Sequence, residues 1–287
     1  MLFRWRWIFP SRWLLNARPH VDTAAVRTLP AALFTLVFPD DCRVCGNPLE
    51  EISRIPVCST CLSAPEPFVA EYFCSQCHAP FANASPLDEE GRCALCRVGA
   101  SGFDRAYAYG EYGGTLRKLI HLFKYDGMKP LATRLGAMLA SALPRDEAYD
   151  AIVPVPLHWW RRWNRGFNQA DLLAQFLSKR LNAPVVHALT RRKSTQPQAG
   201  LTNASRRANV AHAFRAREGA VRDLRVLLVD DVLTTGATVA AAAHVLKRAG
   251  ARRVTVLAVA RADRRQVIAM SGDRQGSFEN GQFGSIA

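Results

Sequence analysis

The stretch Val226-Leu-Leu-Val-Asp230-Asp231-Val-Leu-Thr234-Thr235-Gly236-Ala237-Thr238 decides how the rest of this chain is read. It opens with a continuous apolar run, the pattern of a strand buried on both faces of a parallel sheet. Two carboxylates follow at the C-terminal edge of that strand, where open α/β sheets bind their ligands. A Thr-Thr-Gly-x-Thr turn then leads into a helix predicted over 238–249. Gly236 lets the backbone fold tightly, so that successive N–H groups converge on a phosphate at the helix N-terminus. The hydroxyls of Thr234, Thr235 and Thr238 add donors, and two adjacent acids suit sugar hydroxyls, which need acceptors. Singly, an Asp pair also caps helices and Thr-rich turns are common. The thirteen-residue string is more specific than its parts. It lacks the Gly-Lys-Thr of a Walker loop and the Gly-x-Gly-x-x-Gly of a dinucleotide fold.

Working outward, the chain alternates strand and helix signals. Residues 103–112 alternate well enough for a strand, and Leu116, Leu119, Ile120 and Phe123 recur at helical spacing until Gly127 stops that helix. A second helix is predicted from Pro130 to about Leu143, and a short buried strand over 151–155 ended by Pro154 and Pro156. Residues 168–181 read as a helix with Leu172, Leu173, Phe176 and Leu177 on one face. Buried strands over 225–229 and 254–259 complete the series. Such alternation, with continuously apolar strands, argues for an α/β fold with a mainly parallel sheet flanked by helices.

The first hundred residues follow other rules. All eight cysteines lie there, as four C-x-x-C pairs: Cys42/Cys45, Cys58/Cys61, Cys74/Cys77 and Cys93/Cys96, with gaps of 12, 12 and 15 residues. Two thiolates two residues apart make a knuckle that holds one edge of a tetrahedral metal site, and a second knuckle completes four sulfur ligands. The eight therefore make two sites. Sequential grouping, with Cys42, Cys45, Cys58 and Cys61 on one metal and the rest on the other, is preferred to an interleaved one. Zn2+ is the expected metal and Fe–S clusters the main rival; disulfides are disfavoured without an export signal. So small a segment has little core, and each structural metal would supply on the order of 10 kcal/mol of its folding energy.

The 287 residues are 49% hydrophobic and 22% charged, which excludes a disordered chain. The net charge of +14 is unevenly placed: residues 1–100 carry 9 basic and 10 acidic side chains, residues 101–287 carry 29 and 14, for nets of −1 and +15. A basic second part suits a phosphorylated ligand or nucleic acid. No run approaches the ~20 apolar residues that span a bilayer, and the Trp/Arg-rich N-terminus has no clear cleavage site. The expectation is a soluble, cytoplasmic protein without integral membrane association. The Trp-Trp-Arg-Arg-Trp segment at 159–163 mixes cations with aromatics, as single-strand-binding surfaces do, though tryptophans packed between domains would read the same way.

The string around Asp230 resembles the PRPP-binding motif of type I phosphoribosyltransferases. Its companions are Val153-Pro-Val-Pro-Leu-His158, Arg165-Gly-Phe-Asn-Gln169, the series Arg191, Lys193, Thr195, Gln198 and Leu201, and then Arg206, Asn209 and Phe214. Together with the cysteine pairs they resemble the ComF family, which joins an N-terminal double zinc ribbon to a phosphoribosyltransferase domain. The resemblance covers about residues 30–262. It implies that Asp230 and Asp231 hold ribose as the catalytic acids, and that Thr234, Thr235, Gly236, Ala237 and Thr238 cradle the 5-phosphate. The turn at Val155 and Pro156 would be the pyrophosphate loop, and residues 190–209, rich in Arg and Lys among small polar residues, a mobile flap over PRPP. Arg165, Arg191 and Lys193 are the candidates for stabilising the departing pyrophosphate.

The implied organisation is a basic, aromatic segment at 1–30, a double zinc ribbon at 31–100, a phosphoribosyltransferase-like domain at 101–262 and a flexible tail at 263–287. The implied function is transfer of phosphoribose from PRPP, with Mg2+, to an unknown nitrogen acceptor, linked to natural competence. The alternative is a non-catalytic factor that handles single-stranded DNA beside other DNA-uptake proteins and reuses the PRPP fold.

Overall fold

Parallel strands buried on both faces place everything that follows. The computed structural model describes residues 41–49, 53–99, 101–157, 165–191 and 213–262. The expectations for residues 1–30, the 159–163 cluster, Lys193 with the flap beyond Arg191, and the tail at 263–287 lie outside the described residues. In chain order the elements are α1 (Ser59–Ser63), β1 (Tyr72–Phe73), β2 (Pro80–Phe81), α2 (Ala94–Arg97), β3 (Arg105–Glu111), α3 (Gly114–Tyr125) and α4 (Leu131–Ser141). There follow β4 (Ala151–Pro154), α5 (Gln169–Leu181), β5 (Leu189–Arg191), β6 (Phe214–Ala216), β7 (Arg225–Leu233), α6 (Ala237–Arg248) and β8 (Arg253–Arg261).

The central sheet has the order β3-β8-β7-β4 and every pair in it is parallel. β7 and β8 lie inside, and their continuous apolar runs are the expected mark of strands covered on both faces. Helices α3, α4 and α5 build one core with Leu227, Val229 and Leu257. Helix α6 and the β5–β6 hairpin build the other with Val226, Leu228 and Val256. On α5 the fully buried line is Ala170, Leu173, Ala174 and Leu177, whereas Leu172 and Phe176 flank it half-buried. The side chain of Phe176 covers Gly136 of α4, where an added Cβ would lie 2.5 Å from its ring. β7 runs four residues beyond the expected 225–229, because β8 continues to offer partners as far as the Leu233–Arg261 pair.

The cysteine segment straddles the edge of this sheet. Its first group packs with the α3–α5 core through Cys42, Val44, Val57 and Cys61, its second with the α6 core through Cys74, Cys77, Cys93 and Cys96. Between them it covers the open side of β3. The Phe68 N–H donates to the Tyr109 carbonyl at 2.8 Å, the Ala106 N–H to the Gln76 carbonyl at 2.9 Å, and the Tyr109 hydroxyl to the Pro65 carbonyl at 2.8 Å. An edge strand is thereby satisfied that would otherwise present unpaired backbone groups. Among the described residues no helix is long and apolar enough to cross a membrane.

Candidate functional site

Alternation along β7 sends adjacent residues to opposite faces of the sheet. Asp231 turns to the face covered by α3, where Lys124 Nζ lies 2.7 Å from its Oδ1, with both side chains mostly buried. Asp230 turns to the other face and lines a small concavity with Val232, Leu233, Thr234, Gly236, Thr238 and Val239. Its Oδ1 accepts the Asp231 N–H at 2.9 Å. Part of Asp230 still reaches solvent, but surrounding protein desolvates it, and that burial, reinforced by the charge of Asp231, pushes its carboxyl up to about 7. Lys124 and Arg191 pull in the opposite direction. Lys124 thus pairs directly with Asp231 and, with Arg191 from β5, also bears on Asp230.

Beyond Leu233 the chain turns out of the sheet. Gly236 adopts φ +73°, a left-handed conformation that a side chain would strain, and serves as the N-cap of α6. The Thr235 hydroxyl accepts the Ala237 N–H at 3.3 Å. Thr234 and Thr235 are exposed, and Gly236, Ala237 and Thr238 are half-buried. Thr234, Gly236 and Thr238 therefore line one space with Asp230 at the positive end of a 12-residue helix. An anion is the ligand such an end favours.

Of the other residues singled out by sequence, Val155 and Pro156 lie at the end of β4, with the Val155 N–H donating to the Val229 carbonyl at 2.9 Å. They stand beside the last residue before Asp230. Asn168 ties this turn to α5: its Nδ2 donates to the Val155 carbonyl at 3.1 Å, and its Oδ1 caps the helix at the Ala170 N–H. Arg191, at the end of β5, lies with its guanidinium 5.5 Å from the ring centroid of Phe214 and close enough to Asp230 to bear on its ionisation. Arg165 is on the α3 flank, 4.8 Å from the ring centroid of Tyr125, and donates to Gln169 at 3.3 Å. Sequence reasoning missed Lys124. In the last turn of an amphipathic helix, a lysine reads as a cation complementing the helix dipole, and only the sheet order brings it to Asp231.

The eight cysteines fall into the two sequential groups, each with its four Sγ atoms within 4.8 Å of one another. Cys45 and Cys58 are 3.9 Å apart and Cys77 and Cys93 3.8 Å, too far for a disulfide near 2.0 Å. Those separations match the edge of a zinc–thiolate tetrahedron, about 3.8 Å for bonds of about 2.3 Å. Backbone N–H groups of Cys58 and Cys93 donate to Cys42 Sγ and Cys74 Sγ, each at 3.3 Å. Burial pushes the Cys42 thiol up, yet N–H donors of Cys58, Cys45 and Val44 outweigh it and bring it to about 6. The donor set fits zinc. The two groups differ in cover: Cys45 is exposed, while all four cysteines of the second group are buried.

Comparison with known proteins agrees with this geometry. The family model of the phosphoribosyl transferase domain matches residues 168–273. DNA utilization protein YhgH of Escherichia coli (strain K12) is 35% identical over 233 residues, covering 79% of this chain and 99% of that protein. Competence protein F of Haemophilus influenzae is 36% identical over 180 residues, 59% of this chain and 78% of that protein. Competence protein ComFC of Streptococcus pneumoniae is 25% identical over 232 residues, 77% of this chain and 99% of that protein.

Proposed function

The chain belongs to the ComF family, the family of DNA utilization protein YhgH and competence protein F, and from that membership we propose that it binds PRPP and transfers its phosphoribosyl group to a nitrogen acceptor. The observation that carries this reading is Asp230 beside the N-terminus of α6 at the carboxyl end of parallel β7, with Asp231 adjacent on the opposite face. Asp230 and Asp231 accept from the ribose hydroxyls, while the backbone N–H groups and hydroxyls from Thr234 to Thr238 take the 5-phosphate. The pyrophosphate then extends toward the turn at Val155 and Pro156. In the reaction the anomeric C–O bond to pyrophosphate breaks, its electron pair leaving with the oxygen, and a nitrogen lone pair forms the new C–N bond. The carbon is cation-like between the two events, so the protein's work is to position the sugar and to stabilise departing charge. Arg165 and Arg191, with Lys193 of the flap, supply that positive charge. Mg2+, carried with PRPP, would screen the pyrophosphate, and the Asp230 carboxylate is the hard oxygen donor suited to it. The cysteine groups hold structural zinc.

Calorimetric titration of Mg2+·PRPP into the zinc-loaded protein tests this. Binding is expected in the wild type and absent in an Asp230→Asn, Asp231→Asn double variant. A wild type that takes up no PRPP at millimolar concentration overturns the reading.

A DNA-handling role is supported by the names of the relatives, DNA utilization protein and competence protein, and by the +15 net charge of residues 101–287. If the Trp/Arg segment at 159–163 takes part, its replacement lowers affinity for single-stranded DNA, and that affinity falls steeply with salt.

A further inference from the structure

Arg261 ends β8 at an unusual junction. Its backbone is pinned on both sides: across β7 it is in register with Leu233, the residue that precedes the threonine turn, and its carbonyl accepts the Tyr112 N–H at 2.8 Å. The next N–H, of Ala262, donates to the Leu233 carbonyl at 2.8 Å. The side chain meanwhile crosses to the cysteine segment, where Nη2 donates to the carbonyl of Cys77, itself one of the four sulfur donors of the second group. Its Nε is buried and has no acceptor among the described residues. A guanidinium that leaves a buried donor unmet is costly as a mere staple. The knuckle it grips is packed in place: His78 stacks on Phe73 with ring centroids 4.3 Å apart at 8° and lies against Tyr107.

We propose that Arg261 is the positioning residue that joins the second metal centre to the phosphate-binding turn, so that metal held by Cys74, Cys77, Cys93 and Cys96 and phosphoribose held by the turn strengthen each other. The path has few links: a ligand cysteine, its carbonyl, one guanidinium, one strand end and the residue before Thr234. The first centre is attached differently. There Lys118 Nζ donates to the Val44 carbonyl at 2.8 Å, from the exposed side of α3 and well before Lys124. Coupling is therefore specific to the second centre, and the first is an internal control. The ligand half of this inference rests on the PRPP reading above.

Linkage between two sites is reciprocal, which makes the claim measurable from either end. Zinc release from the full-length protein into excess chelator is followed with a chromogenic indicator, and mass spectrometry of alkylated cysteines assigns each phase to its group. Mg2+·PRPP is expected to slow release from the second group about fivefold or more and to leave the first unchanged. Arg261→Ala is expected to abolish that slowing and to weaken PRPP binding by a like factor, while Arg261→Lys, which keeps a donor, restores part of both. PRPP that binds the wild type without slowing release, or slowing that survives in Arg261→Ala, overturns the proposal. If the wild type takes up no PRPP, the functional reading fails and the coupling is read without ligand, by hydrogen exchange over residues 232–238. Stripping the second metal is expected to raise exchange there more than across the rest of the sheet in the wild type, and no more than across the rest of the sheet in Arg261→Ala. Unchanged exchange in the wild type also overturns it.

Discussion

Asp230 carries the pH dependence of the site. Its carboxyl is raised to about 7 by burial and then by the charge of Asp231, from an ordinary value of 3.8. Between those values the folded state keeps a proton that the unfolded chain has released, so this group makes the fold less stable as pH rises through the window. The total is at most about 4 kcal/mol at about 1.4 kcal/mol per pKa unit. Asp230→Asn keeps the shape without the charge. The melting temperature of the ligand-free variant should therefore exceed that of the wild type above neutral pH and equal it below about pH 4. PRPP affinity should run the other way. Ribose hydroxyls need the ionised acid, so affinity should rise with pH up to about 7 and then level off. A second residue prediction concerns Lys124, 2.7 Å from Asp231. Lys124→Met leaves the paired acids without that cation, which should cost on the order of 2 kcal/mol at neutral pH in chemical denaturation. It should also move the midpoint of PRPP binding to higher pH. An unmoved midpoint would mean that Lys124 does not act on the acids.

At the scale of elements, periodicity made most of the fold legible. The strand expected at 103–112 is Arg105–Glu111, and the helices predicted through Leu116–Phe123, from Pro130 and over 168–181 form where the apolar spacing put them. The three-residue strands of the β5–β6 hairpin carry no such signal, yet that hairpin sets Arg191 near Asp230. The docking of the cysteine segment on β3 was equally hidden. It depends on Gly110, where an added Cβ would lie 2.5 Å from the Glu66 carbonyl oxygen. Backbone cannot step aside as a flexible side chain can. Gly110→Ala should push residues 65–68 off the strand edge and cost about 1–3 kcal/mol, and faster hydrogen exchange at Phe68 would report it. Exchange unchanged from wild type would show that the edge is held by other contacts.

Over the whole molecule, the two cysteine groups belong to the cores on opposite faces of one sheet. A metal module of this size hung on a linker would unfold by itself when stripped. Here its loss takes buried contacts from both cores and bares the edge of β3. Exhaustive chelation of the full chain should thus yield one melting transition at lower temperature, with aggregation through the uncovered strand. A second transition unchanged from the zinc-loaded protein would show instead that the sheet stands without its cysteine segment. The greater cover of the second group, against the exposed Cys45 of the first, should make metal leave the first group sooner.

What the sequence by itself determined was local: apolar runs that become buried strands, C-x-x-C spacing that groups the cysteines in two fours, and a Thr-Thr-Gly-x-Thr turn that opens a helix. Each of these is written within a few residues, because backbone geometry, side-chain alternation and ligand reach act over that distance. Tertiary structure alone decided which partners such pieces meet. Lys124 reaches Asp231 only because α3 covers the face to which strand alternation turns that acid. Arg261 meets the Cys77 carbonyl 184 positions away only because the cysteine segment folds over the sheet edge beside the end of β8. Strand order and layer packing are settled by the burial of the whole chain, and no local pattern encodes them.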